Sequence, residues 1–404
     1  MRSLSRCCGV LLCIVSAWLL NSCAMPQTPL LLEHGELPER LSEWHLFALQ
    51  GGQLRAVSAA VQYELNTPLF SDYALKMRTL WVPVGQHIAP AAGPDQEPGA
   101  LQFPVGTVLT KTFYYPRAGV AFAAAAARDG RLDMQQVRLL ETRVLVHQQD
   151  GWHAAAYVWD DAQQDALIAP GGKLLQPSFE HPQLHRVVHS DYLVPDQNQC
   201  ANCHARNHTT KRMQPLGPRL DNLASASSPA QAHANLQDRR TSAAPQLAGW
   251  RTRGWLAAAD APAESPPLTP LPALARWDDT TAPLAARAIA YLDVNCGHCH
   301  NSTGAADTSG LFLDRGSLEK SPQGVCKAPV AAGKGAGHLA YDLVPGRASE
   351  SILLLRMQSS DPGVMMPELG RSLAHEEGVH LIRDWINSLP GSCPRPDARR
   401  AQPV

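Results

Sequence analysis

An excess of charge of either sign is missing from this chain. Its 404 residues carry 35 lysines and arginines against 36 aspartates and glutamates, a formal net charge of −1, and no basic stripe of the kind a nucleic-acid surface requires. Charged residues are few, at 18%, and aromatic residues make up only 6%. Long apolar runs are also lacking beyond the N-terminus. None approaches the ~20 residues that cross a membrane as a helix, which excludes an integral membrane transporter. A mean hydropathy of −0.20 fits a globular chain, and 404 residues suffice for two or three domains. No internal repeat of fixed period is visible beyond one short cysteine motif.

Cysteine, by contrast, is present in number, and the 10 cysteines divide by position into four sets. Cys7, Cys8 and Cys13 lie in a leader, where Arg2 and Arg6 precede an apolar stretch from Gly9 to Leu20 and then Asn21, Ser22 and Cys23. Basic, apolar and small residues in that order make a secretory signal. The segment resembles a bacterial lipoprotein signal with a lipobox, which implies that residues 1–22 are removed and that Cys23 carries the lipid. A plain cleaved signal or an uncleaved anchor is the alternative. Removal of residues 1–22 takes away Arg2 and Arg6 and no acid, leaving 33 basic against 36 acidic residues. Ala24 follows Cys23, with no aspartate of the kind that retains lipoproteins at the inner membrane. The expected location is therefore the periplasmic face of a bacterial membrane, as an outer-membrane lipoprotein, in an oxidising compartment.

Residues 33–178 are expected to form a β-sandwich-like domain. The runs Thr79 to Val84, Val105 to Tyr115, Val137 to His147 and Trp152 to Trp159 are β-rich or alternating and are separated by turn residues such as Gln149-Asp150-Gly151. Ala89 to Ala100, with three prolines and two glycines, predicts a surface loop, and Ala118 to Ala127 a small-residue insertion or short helix. Residues 179–256 open with His181, His185 and His189 and become helical in composition. Pro262, Pro266, Pro267, Pro270 and Pro272 then mark a linker over 257–277. Residues 278–393 read as a second helical region, and 394–404 as a disordered polar tail. The fold class is thus multidomain α+β, with a β-rich N-terminal part and two mainly helical regions behind it.

Each helical region contains one copy of CxxCH: Cys200-Ala201-Asn202-Cys203-His204 and Cys296-Gly297-His298-Cys299-His300. In this motif two thiols on adjacent turns reach the vinyl groups of one heme, and the following imidazole points at the iron. A pair of zinc or redox CxxC sites is the competing reading. With 10 cysteines and 16 histidines in the chain, about 0.01 chance copies are expected. Two covalently attached c-type hemes are therefore the expected cofactors, with His204 and His300 as proximal ligands. Cys326 and Cys393, the remaining cysteines, are expected to pair as a disulfide, with two free thiols as the alternative.

The last region resembles class I cytochrome c. The carrying features are the Pro283 to Val294 helix leading into the motif, then Met365-Met366-Pro367, then a terminal helix with Val379, Ile382, Trp385 and Ile386 on one face. The resemblance implies that Met366 supplies the distal sulfur of the second heme, with Met365 the rival and Met357 a core residue. For the first heme, Pro215-Leu216-Gly217-Pro218 resembles the segment whose carbonyl orients the proximal imidazole, which keeps Met213 off the distal face. His208, four residues after His204, would share its face on a continuing helix. His233, one of His181, His185 and His189, or no protein ligand at all remains for the distal position.

Nearly the whole mature sequence resembles a family of uncharacterised periplasmic diheme lipoproteins. The stretches that carry this are Leu41-Ser42-Glu43-Trp44 with Leu46-Phe47, Tyr63 to Ala74, Glu141-Thr142-Arg143, Tyr291 to Asn295, and Met366 to Gly370. The resemblance offers a parallel β-helix protein as a candidate partner and implies no reaction; periplasmic redox partners follow instead from the two expected hemes. Electron transfer is the leading expectation. The alternatives are an oxidoreductase whose open first heme acts on peroxide or a nitrogen compound, and a redox-sensing binding protein.

Overall fold

The structure, a computed structural model, describes residues 28–91, 96–223, 245–256, 271–321, 324–330 and 333–394. Cys23, His233, most of the proline-rich linker and the tail beyond Pro394 lie outside the described residues. The fold is mixed α and β, with the sheets in the N-terminal half and few helices. Among the described residues no helix is long and apolar enough to cross a membrane.

Six antiparallel strands form the main sheet, in the order Ala166–Ile168, Gly151–Trp159, Val137–Gln148, Val108–Pro116, Leu75–Trp81 and Val61–Gln62. A three-stranded sheet of Phe47–Gln50, Gln53–Ala56 and Arg131–Asp133 covers one face. The shared core joins Leu46, Leu54 and Leu132 to Met77, Val108, Tyr114, Val146 and Tyr157. Trp44 is fully buried there, and its indole N–H donates to the Tyr157 hydroxyl at 2.9 Å. Side chains alternate across a strand, so Val108 and Tyr114 meet this core while Leu109, Phe113 and Tyr115 face the other way. The alternation predicts a strand beginning at Thr79, whereas the strand starts at Leu75. Lys76 and Arg78 hide its beginning, because they put charge on a face that a simple sandwich would make apolar. Within the expected Ala89 to Ala100 loop, Ala89–Pro90 pairs with Leu101–Gln102, an edge position that a proline tolerates.

The second face of the main sheet is covered in two patches. Leu220, Leu223, Leu247 and Trp250, from the helices Leu220–Leu223 and Pro245–Thr252, pack on Leu80, Leu109 and Leu145. Phe179, Tyr192 and Val194, from two nested two-stranded sheets, pack on Phe113, Tyr115 and Val158, with the Phe179 and Tyr115 rings stacked at 4.1 Å. Between the patches the sheet face is polar.

In the C-terminal region the helices Leu284–Asn295 and Glu376–Ser388 pack together through Ala288, Tyr291 and Leu292 against Val379, Ile382, Trp385 and Ile386. Gly378 makes the crossing possible, since a side chain there would collide with the Tyr291 ring. The Sγ atoms of Cys326 and Cys393 stand at disulfide distance, across 67 positions of sequence. A link of that span stabilises by about 4 kcal/mol in the loop-entropy account.

The regions are joined by a buried ionic network. Arg219, with its side chain 6% exposed, contacts Glu97 at 2.6 Å, Asp293 at 2.6 Å and Asp221 at 3.1 Å. Arg206 reaches the same Glu97 at 3.1 Å, and Arg315 the same Asp221 at 3.1 Å. Three guanidiniums thus balance three carboxylates drawn from all parts of the chain. Removing one partner from such a cluster leaves uncompensated buried charge. Arg219→Ala is expected to lower stability by about 3–5 kcal/mol, read from denaturant unfolding; a loss under about 1 kcal/mol would contradict the assigned role.

Candidate functional site

Both CxxCH motifs are built to present an imidazole in one fixed form. Asp196 caps the first helix, Gln197–His204: its carboxylate accepts the Gln199 N–H at 2.8 Å, and the Gln199 side chain accepts the Asp196 N–H at 3.0 Å. The helix ends at His204, and Nδ1 of that residue lies 2.8 Å from the carbonyl of Gln214. The second motif follows the Leu284–Asn295 helix, and Nδ1 of His300 lies 3.0 Å from the carbonyl of Leu311. A carbonyl can only accept, so each Nδ1 carries the proton and each Nε2 is left with its lone pair. The orienting carbonyl for His204 belongs to the residue just before the expected Pro215–Pro218 segment. Burial lowers the pKa of His204 to about 4, helped by Lys111 and Arg143, and lowers that of His300 as well. Both imidazoles are neutral near pH 7, the ligating form.

The four motif thiols are free of disulfide. Burial pushes Cys200 up to about 11 and Cys296 and Cys299 up to about 12, and raises Cys203. Redox-active CxxC pairs show the opposite shift. Among the described residues no three His, Cys, Asp or Glu side chains converge closely enough to hold a metal ion.

One continuous cavity, with about 1830 Å³ of non-atom space including its opening to solvent, runs between the polar face of the sheet and the helices. Cys200, Cys203, His204, Cys296 and Met366 all line it. Cys299 and His300 are not among its lining residues, while Met357 lines it and also belongs to the C-terminal core. Met365 is buried away from the cavity. The donor types fit covalently held heme, with thiols kept protonated and outside any disulfide and imidazoles fixed by their Nδ1 bonds; the first motif presents its whole set to the cavity, the second Cys296 alone of its heme donors, with the Met366 thioether beside them.

The other histidines and Met213 fall elsewhere. His181 is buried outside the cavity lining, with Nδ1 accepting the N–H groups of Gln183 and Leu184 at 3.3 and 3.2 Å. His185 and His189 are exposed on a hairpin, and Met213 is half-buried outside the lining. The helix does not continue past His204, so His208 is not on its face. His208 instead ties the motifs together, with Nδ1 at 3.0 Å from the carbonyls of both Thr303 and Gly304.

Several cavity residues are not evident from sequence. Arg78, Lys111 and Arg143 line it from the sheet. His298, the residue before Cys299, is 7% exposed, lines the cavity and has no partner for Nδ1 among the described residues. His375 also lines it, stacked on Phe70 at 4.2 Å with Nδ1 3.0 Å from the Tyr291 hydroxyl. Only Arg143 carries a sequence signal, as part of the Glu141-Thr142-Arg143 stretch. The chain matches no family model, no curated protein and no solved structure.

Burial, with smaller contributions from Lys76 and His181, lowers the pKa of His375 to about 3. The unfolded chain therefore binds a proton that the folded one refuses, and stability is lost as pH falls from about 6.5 toward 3. Between about pH 7 and pH 4 the wild type is expected to lose about 3 kcal/mol more than His375→Gln. Denaturant titrations at the two pH values measure this, and equal losses would contradict a neutral, buried His375.

Proposed function

We propose that the chain is a diheme c-type cytochrome that passes electrons between partners on the extracytoplasmic side of a bacterial membrane, anchored there by lipid on Cys23. The observation that carries this is the repeated device at the two CxxCH motifs. Each motif imidazole has Nδ1 tied to a downstream carbonyl, and Cys200, Cys203 and His204 of the first motif line one space with Cys296 of the second. Cys200 and Cys203 would hold the first heme and Cys296 and Cys299 the second, with His204 and His300 as proximal ligands. A heme bound in this way supplies reversible one-electron chemistry.

The residues around it do the rest. Sheet and helices bound the space on two sides, and neutral imidazoles with fixed tautomers would present each iron ligand in one form. The paired helices of residues 278–393 support a class I cytochrome c fold for that region. The position of Met366 at the cavity, with Met365 turned into the core, supports Met366 as the distal sulfur of the second heme. Periplasmic redox proteins are the natural partners, and a parallel β-helix protein is a further candidate carried by the family resemblance alone.

A second reading has one specific observation in its favour. None of His181, His185, His189 and Met213 lines the cavity, whereas three cations of the sheet do. An open first heme acting on a small molecule is compatible with that lining.

Optical redox titration tests the main reading: two reversible one-electron transitions are expected. Met366→Ala should abolish a weak far-red ferric band and lower one midpoint potential, because a thioether favours ferrous iron. Loss of the band in Met365→Ala instead would shift the assignment by one residue. Carbon monoxide separates the two readings. Uptake of about one equivalent by the reduced wild type marks an open first heme, and none leaves electron transfer alone.

A further inference from the structure

The polar face of the main sheet carries three cations in one row. Arg78 is the cross-strand partner of Lys111, and Lys111 of Arg143. They share a face, and all three line the cavity beside Cys200, Cys203 and His204. Like charges directly opposite one another weaken a sheet, and the chain answers this charge only in part. Arg143 holds Glu141 through two hydrogen bonds, at 3.0 and 2.6 Å, and the Tyr192 hydroxyl donates to the same carboxylate at 2.6 Å. Glu141 is thereby fully engaged. Arg78 comes only within 3.7 Å of Glu64, and its Nε, in a side chain 5% exposed, has no partner among the described residues.

Lys111 is the least compensated of the three. Its Nζ lies 5.8 Å from the centre of the Phe113 ring and has no hydrogen bond or ion pair among the described residues. Burial, together with Arg78 and Arg143, lowers its pKa to about 7, and an anion at Nζ would reverse that shift. Two planar guanidiniums flanking an ammonium match the geometry and charge of a carboxylate or other planar oxyanion.

We propose that the Arg78–Lys111–Arg143 row is an anion seat, holding a carboxylate or small oxyanion against the sheet beside the first CxxCH motif. The group has two possible sources. It is either a propionate of the first porphyrin, in which case the proposal rests on the diheme reading, or a free oxyanion that enters the cavity. In both cases the β-rich half is a working wall of the site.

The test uses the full matured chain with Lys111→Met and the charge-preserving Lys111→Arg. Calorimetric titration with inorganic phosphate reads the free source: saturable binding to the wild type and Lys111→Arg, weakened roughly tenfold or more in Lys111→Met. Potentiometry reads the porphyrin source. Lys111→Met should lower the midpoint potential of one heme while Lys111→Arg leaves it in place, because a nearby cation favours the less positive iron. Either result supports the seat. Phosphate binding that is absent or unaffected by Lys111→Met, together with unchanged midpoint potentials, overturns it. Covalent heme counted on the same samples keeps the failures apart: a chain without heme removes the diheme reading, and the phosphate titration alone then decides the seat. If Lys111→Met does not fold, Arg78→Met probes the same row with the same readouts.

Discussion

Much of the structure depends on one buried guanidinium. Arg219 brings together Glu97 from the β-rich half, Asp221 from the region of the first motif and Asp293 from the helix that leads into the second. Taking these charges out of water is costly, and the cost is offset only if every partner stays in place. The network therefore works as a specificity device more than as a source of net stability. It fixes the first motif relative to the second, and His208 reinforces the tie by engaging the carbonyls that follow His300. On the proposed reading, this seam would hold the two hemes at a constant separation.

The segment from Asn66 to Tyr73 completes the seam. The Asn66 amide donates to the carbonyls of Asp221 and Leu274, the Thr67 hydroxyl to that of Ala275, and the Tyr73 hydroxyl to Glu377. Asp72 accepts the N–H groups of Ser372 and Leu373 at 2.8–2.9 Å. Its backbone, with φ at 47°, lies in the left-handed region, where aspartate is tolerated better than most residues. A loop of the β-rich half thus binds the backbone of the C-terminal region, just ahead of His375 and the last helix. The sheet and the helices enclose one cavity because this loop holds them together.

Local pattern explains which parts of this are legible in the sequence. The Val137–Gln148 and Gly151–Trp159 strands follow from alternation and a turn, and the Leu284–Asn295 and Glu376–Ser388 helices from apolar periodicity. The CxxCH motifs and the Cys326–Cys393 pairing follow from cysteine chemistry and compartment. The cation row does not, because its members lie on three strands and converge only through register. The seam is only half legible. Tyr63 to Ala74 stands out as a stretch, but its partners lie as far as 304 positions away. His298 sits between the cysteines of the second motif, where any residue satisfies the pattern, so its burial has no sequence signal.

The proposed function stands on covalent heme at both CxxCH motifs. Peptide-mapped mass spectrometry of the protein, matured in cells that attach c-type heme, tests it most directly. The expected result is one heme on the peptide containing Cys200 and Cys203 and one on the peptide containing Cys296 and Cys299. Four unmodified thiols, or bound zinc with no covalent heme, would contradict it.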